Sequence, residues 1–166
     1  MDAALVCIAG TGLTFGIWWI YYLLPSARIL HAHRERSFVW GYTLIVPIAA
    51  IVAMGAGLHV AAYFIEHKAA IGPVATVLSV AIPVGVFLLS VYGLYYYMLR
   101  QFDVLHIWLV SASAGVVALA VAAALFNVDM AVCLIVLMFA PMVTVVGYEA
   151  AGHRHQADAL EKEGAL

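Results

Sequence analysis

Residues 73–99 read PVATVLSVAIPVGVFLLSVYGLYYYML, and no charged side chain interrupts them. A helix needs about 20 mostly apolar residues to cross a hydrocarbon core, so this stretch predicts a transmembrane helix. Four more stretches of the same kind flank it: Ala3–Leu24 and Phe38–Ile65 before, Val104–Phe126 and Met130–Tyr148 after. Of the 166 residues, 67% are hydrophobic and only 10% charged. A soluble domain carries about 25% charge. Alternation at period two is absent, and a lipid-exposed barrel requires it in segments of about ten residues. The expected fold is therefore all-α, a polytopic bundle of five transmembrane helices, which makes this a multi-pass protein of the cell membrane.

Residues 1–152 form the transmembrane domain and 153–166 a short polar tail, with Pro25–Ser37 as the one substantial loop. Asp2 is the only charge before Arg28, so the first stretch lacks the basic start of a secretory signal and reads as a retained helix. Arg28, Arg34 and Arg36 follow the first stretch, Arg100 the third, and Arg154 and Lys162 the fifth. Lys68 alone falls on the other side. This asymmetry predicts an outside N-terminus and a cytoplasmic C-terminus. An odd number of spans in so short a chain points to part of a longer protein or to a protomer that assembles. The expected partners are the bilayer and either further copies of the chain or another membrane subunit. The formal net charge is -2 and the basic residues are scattered among loops, so no nucleic-acid footprint is present. Cys7 and Cys133 lie in apolar stretches, without the spacing of a disulfide framework, and read as small hydrophobes.

Pro47, Pro83 and Pro141 fall inside the second, third and fifth stretches, where each removes a backbone donor and should kink its helix. Such breaks either shape helices or create a cavity. Gly12 and Gly16, Ala53 and Gly57, and Ala114 and Ala118 are spaced for close helix approach in lipid. Trp18, Trp19, Tyr21 and Tyr22 end the first stretch and Tyr95, Tyr96 and Tyr97 the third, both as expected of aromatic rings at headgroup depth.

Ionisable groups within the membrane are costly to place there and are candidates for function. His59, Tyr63, Glu66 and His67 recur at spacings that put them on one helical face, a candidate pore or proton relay. The alternative is a neutral, hydrogen-bonded His59 with Glu66 and His67 in a loop. On the cytoplasmic side stand His31, His33, His106, His153 and His155. His106, Asp103, Glu149 and His153 could line a vestibule there, or the histidines could be solvated at the interface. Neutral imidazoles also ligate metals or haem, yet the two His-x-His pairs lack helix-face spacing. A haem shared by His59 and His106 is opposed by depth, since the two belong to opposite ends of their helices. No Walker loop, HExxH or CxxC is present, and the sequence names neither a cofactor nor an enzymatic reaction.

Three segments resemble the bacterial low-temperature requirement A (LtrA) membrane protein family: FGIWWIYY at Phe15–Tyr22, RSFVWGY at Arg36–Tyr42, and AGLH at Ala56–His59. Members are usually longer, with about twice as many helices, so the resemblance implies one half of such a protein. Two departures stand out. The family tends to carry an acidic residue after the aromatic pair, where this chain has Leu23. It also tends to carry His and Glu in the second helix, where Thr43, Leu44 and His59 occur here. The leading expectation is a small-solute or ion transport or channel-like subunit that acts as an oligomer and uses His59. A haem- or metal-binding redox protein and a non-catalytic scaffold are the alternatives.

Overall fold

A computed structural model describes residues 2–23, 30, 31, 34–99 and 104–152. Helix α1 is Asp2–Leu23. The second span starts with a 3-10 turn at Arg34–Arg36 and continues as α2, Ser37–Thr43, and α3, Ile45–Ile65. Then come α4, Pro73–Leu99, α5, Val104–Leu125, and α6, Met130–Gly147, which ends in a π-helical turn at Tyr148–Gly152. Among the described residues, five spans are long and apolar enough to cross a membrane, as the sequence predicts. The fold is an all-α bundle of the polytopic membrane type. The tail from residue 153 lies outside the described residues.

The prolines act differently from one another. Pro47 cannot donate to the Thr43 carbonyl, and the second span breaks into α2 and α3 at Leu44, beside that lost bond. Pro83 and Pro141 sit inside uninterrupted helices. Pro83 deprives the Ser79 carbonyl of its helical donor, and that carbonyl faces Gly57 of α3, where a Cβ would collide with it. The Ser79 hydroxyl donates to Thr76 O at 2.7 Å, with Gly57 O at 3.5 Å. Glycine thus lets two backbones meet, which in lipid is the main source of helix affinity because apolar burial adds little there. Gly12 and Gly16 of α1 serve the same purpose against α6, where they face Met138 and Pro141. Ala53, Ala114 and Ala118 point outward instead.

Two spans end in the same way. His67 (φ 57°) and Asn127 (φ 56°) adopt left-handed backbone just past α3 and α5. Around the first, His67 N–H donates to Phe64 O at 3.0 Å and Lys68 N–H to Tyr63 O at 2.9 Å. Asn127 to Ala124 and Val128 to Ala123 repeat the pattern at 3.1 and 3.0 Å. These crossed bonds satisfy the last carbonyls of each helix. Asp129 then caps α6 by accepting from Ala131 N–H at 2.9 Å, which closes the short α5–α6 hairpin.

The helices pack in a ring, α1 to α6, α6 to α5, α5 to α4, α4 to α3 and α3 back to α1. Contacts between α4 and α6 fill the middle. The core consists of residues such as Val80, Val84 and Phe87 of α4, Leu134 and Leu137 of α6, and Leu13 and Ile17 of α1. The seam between α1 and α3 is the thinnest in the ring. At the end that carries Arg34 and Arg36, here the basic end, a second small core joins Leu94, Tyr95, Met98, Leu109 and Tyr148 to Trp40 and Leu44. The buried Arg36 guanidinium donates to Met98 O there. A cation on the last carbonyls of α4 also complements the helix dipole.

Candidate functional site

The interior of the basic end is where ionisable and hydroxyl side chains converge. His106 enters from the first turns of α5, Tyr92 and Tyr95 from the last turns of α4, and Thr144 and Tyr148 from the end of α6. The Tyr95 ring stacks on the His106 imidazole with centroids 4.3 Å apart and planes at 30°. Tyr92 and Tyr148 present their edges to it, at 6.2 and 5.6 Å. Tyr148 also lies edge-on to Tyr95 at 5.8 Å. The Tyr148 hydroxyl is 3.5 Å from His106 Nε2, a long hydrogen bond.

A second set of hydroxyls continues inward. Tyr92 Oη lies 2.9 Å from Thr144 Oγ1, which lies 3.1 Å from Ser113 Oγ. Ser113 is seven residues beyond His106 on α5, about 10 Å deeper in the bundle. Ser113 and Thr144 are both buried, so each hydroxyl relies on the other and on Tyr92. Between the two groups lies a cavity of about 20 Å³, lined by Ile20, Leu23 and Val91 and by Tyr92, Tyr95, His106, Thr144 and Tyr148. A space needs roughly 10–15 Å³ to hold one water, so this one accommodates a single molecule within reach of several polar groups.

The residues singled out from sequence fall in two very different places. His59, Tyr63, Glu66 and His67 are all exposed on the outside of the bundle. The His59 and Tyr63 rings meet edge to face at 4.7 Å. Glu66 is paired with Lys68 at 2.7 Å, and this neighbouring cation holds its carboxyl below the usual range. His67 closes α3, as described above. None of the four lines the cavity at the basic end. His106 does, while Glu149, next to Tyr148, accepts from the Trp19 indole at 3.1 Å and so ties α1 to the turn after α6. Asp103, His153, His33 and His155 lie outside the described residues. Among the described residues, no three His, Cys, Asp or Glu side chains gather as a metal site requires.

Of the tyrosines that end α4, Tyr95 is buried against His106 and Tyr96 is exposed. Tyr92, Ser113, Thr144 and Tyr148 are the participants that sequence reading missed. Residues 1–141 match the family described as Bacterial low temperature requirement A protein (LtrA). The chain belongs to this family. The LtrA match takes in Tyr92, Tyr95, His106 and Ser113 and stops just short of Thr144 and Tyr148. Leu23, where the LtrA resemblance implies an acidic side chain, lines the His106 cavity. No curated protein matches the chain, and no solved structure does.

Proposed function

We propose that this LtrA-family protein is a membrane transport subunit whose cycle moves a proton through His106. The carrying observation is a half-buried imidazole enclosed by Tyr92, Tyr95 and Tyr148 inside the bundle. Intramembrane ionisable side chains that face a bundle interior characteristically serve proton or ion pathways. Histidine suits this role because its unperturbed charge change lies near neutrality. Its Nε2 can take a proton from the basic end, with the Tyr148 hydroxyl as its partner. A water in the adjoining cavity would link it to the Tyr92, Thr144 and Ser113 hydroxyls.

The hydroxyl series supports a carrier-like cycle over an open pore. Beyond Ser113 the middle of the core is apolar, with Ala120, Val84 and Leu137 all fully buried, and the buried Thr76 near the far end has its hydroxyl turned back to Gly72 O. A proton therefore reaches the middle of the bundle from one side only, and passage across requires a change of helix packing. A haem at His106 is disfavoured by space. The cavity of about 20 Å³ is more than tenfold smaller than the roughly 300 Å³ at the low end of small-molecule sites.

The test is proton movement in vesicles that contain the purified protein and a trapped pH-sensitive dye, driven by an imposed potential. Protein-containing vesicles should acidify faster than empty ones, and His106→Ala should remove at least about tenfold of that rate, within the usual effect of a lost acid–base group. Equal rates for the wild-type chain and the variant would overturn the reading.

A further inference from the structure

The thin seam between α1 and α3 opens on the outside of the bundle into a groove of about 370 Å³. Ile17 and Trp18 of α1 form one wall, Pro47, Ile51 and Met54 of α3 the other, and Phe87 of α4 the floor. Its position follows from the break at Leu44 next to Pro47, at the point where α3 should close on α1. The volume lies within the roughly 300–1,000 Å³ of ligand sites. The lining offers almost only hydrocarbon and aromatic carbon. Thr14 is a polar residue on the wall, and its hydroxyl is turned back to Gly10 O at 2.8 Å. Tyr21 and Trp18 also line it, but no charged side chain does, so a charged solute would find no counter-charge there, whereas an alkyl chain would find contact along the whole wall.

Dimensions narrow the occupant further. From Leu44 to Met54 the groove follows α3 for ten residues, about 15 Å, which is half of a hydrocarbon core of about 30 Å. It therefore spans a single leaflet, the one at the basic end. A helix of the same length and about 10 Å diameter would fill roughly three times the available volume, so a second protein segment does not fit. At the groove's outer end, Trp18 and Tyr22 meet with centroids 4.8 Å apart, and both are well exposed. Arg34 is exposed at the start of the same span, beyond α2. Indole and phenol suit headgroup depth, and a guanidinium ten residues before Leu44, on the interface side of the groove, would favour an anionic phosphate there.

We infer that this groove holds one acyl chain of an anionic phospholipid from the leaflet at the basic end, with its headgroup near Arg34 and Trp18. The site is independent of His106 and of any transport cycle. Protein purified in mild detergent and washed free of loose lipid should retain about one phospholipid per chain, enriched in the anionic class. Ile51→Trp fills the groove and should lower the retained lipid about fivefold or more, while circular dichroism and gel filtration stay unchanged. Arg34→Ala should leave the amount of lipid similar and abolish the anionic preference. Because a filled groove could disturb folding, the wild-type fold is also read directly. With Trp19, Trp40 and Trp108 replaced by Phe, brominated phosphatidylglycerol should quench Trp18 more strongly than brominated phosphatidylcholine. Absence of retained lipid in the wild-type chain, or equal retention by Ile51→Trp, overturns the inference. So does equal quenching by the two lipids. A change of oligomeric state in Ile51→Trp with lipid unchanged would instead mark the face as a protein contact and also defeat it.

Discussion

His59 and His106 sit near opposite ends of the same bundle, and the protein treats them in opposite ways. His59 lies six residues before the end of α3, about 9 Å from it, on the outward face with the Tyr63 ring edge-on to it. His106 is closer still to its own helix end, two residues or about 3 Å after the start of α5, yet faces inward among three tyrosines and next to a chain of hydroxyls. Near a helix end an exposed imidazole can reach the interface and hydrate, so it needs no protein partner. An inward one cannot, and its surroundings must supply hydrogen bonds. Depth alone therefore does not identify a functional histidine. The face of the helix decides it, and the inner face of α3 belongs to Pro47, Ala50, Met54, Gly57 and Ala61.

The largest effect should come from His106. Its replacement by alanine should reduce proton flux by at least about tenfold, whereas the same change at His59 should stay within about twofold. A reversed order would show that the outward face works only in an assembly and would break the comparison. Next is α3 itself. Gly57→Ala drives a Cβ into the Ser79 carbonyl of α4, and the backbone cannot yield easily. A loss of about 1–3 kcal/mol is expected in denaturation from detergent. Ala56→Leu, one residue away on the outer face, should leave that transition within about 0.5 kcal/mol.

A smaller effect should follow from Thr144→Val. It keeps the shape and removes the hydroxyl that joins Tyr92 to Ser113. Flux should fall several-fold, and Thr144→Ser should restore most of it. A valine variant with full flux would confine the pathway to His106 and Tyr148. The smallest effect belongs to Glu66. Its carboxyl is held low by Lys68, so any stabilisation is present above the ordinary value of 4.5 and fades as pH falls through the lower folded value. The pair is fully exposed, so Glu66→Gln should leave the thermal midpoint unchanged from pH 7 to pH 5. A shift within that window would mean that something covers this end of α3.

The spans were legible because length and apolar composition are sufficient for them: five uncharged stretches correspond to the five spans found among the described residues, with nearly the expected ends. The break at Leu44 followed from Pro47, since a missing donor has a local consequence. Which side each helix shows its neighbours was not legible. In a chain that is apolar all round, the inner and outer faces carry the same kinds of residue, and Tyr95 and Tyr96 illustrate this by facing opposite ways. Hydroxyls were ambiguous for a different reason. Thr14 and Thr76 satisfy themselves on the carbonyl four residues back, at 2.8 and 3.0 Å, while Ser113 and Thr144 bond across helices. Nothing local distinguishes the two kinds. From sequence, His67 reads either as part of a candidate relay or as a loop residue, and its left-handed role in ending α3 is not legible because the glycine that usually marks such a position is missing.

The account is tested most directly by measuring proton flux for the wild-type chain, His106→Ala and His59→Ala in vesicles of one lipid composition, with equal protein incorporated. It predicts near wild-type flux for His59→Ala and flux close to that of empty vesicles for His106→Ala. Undiminished flux in His106→Ala, or loss of flux in His59→Ala alone, would contradict it.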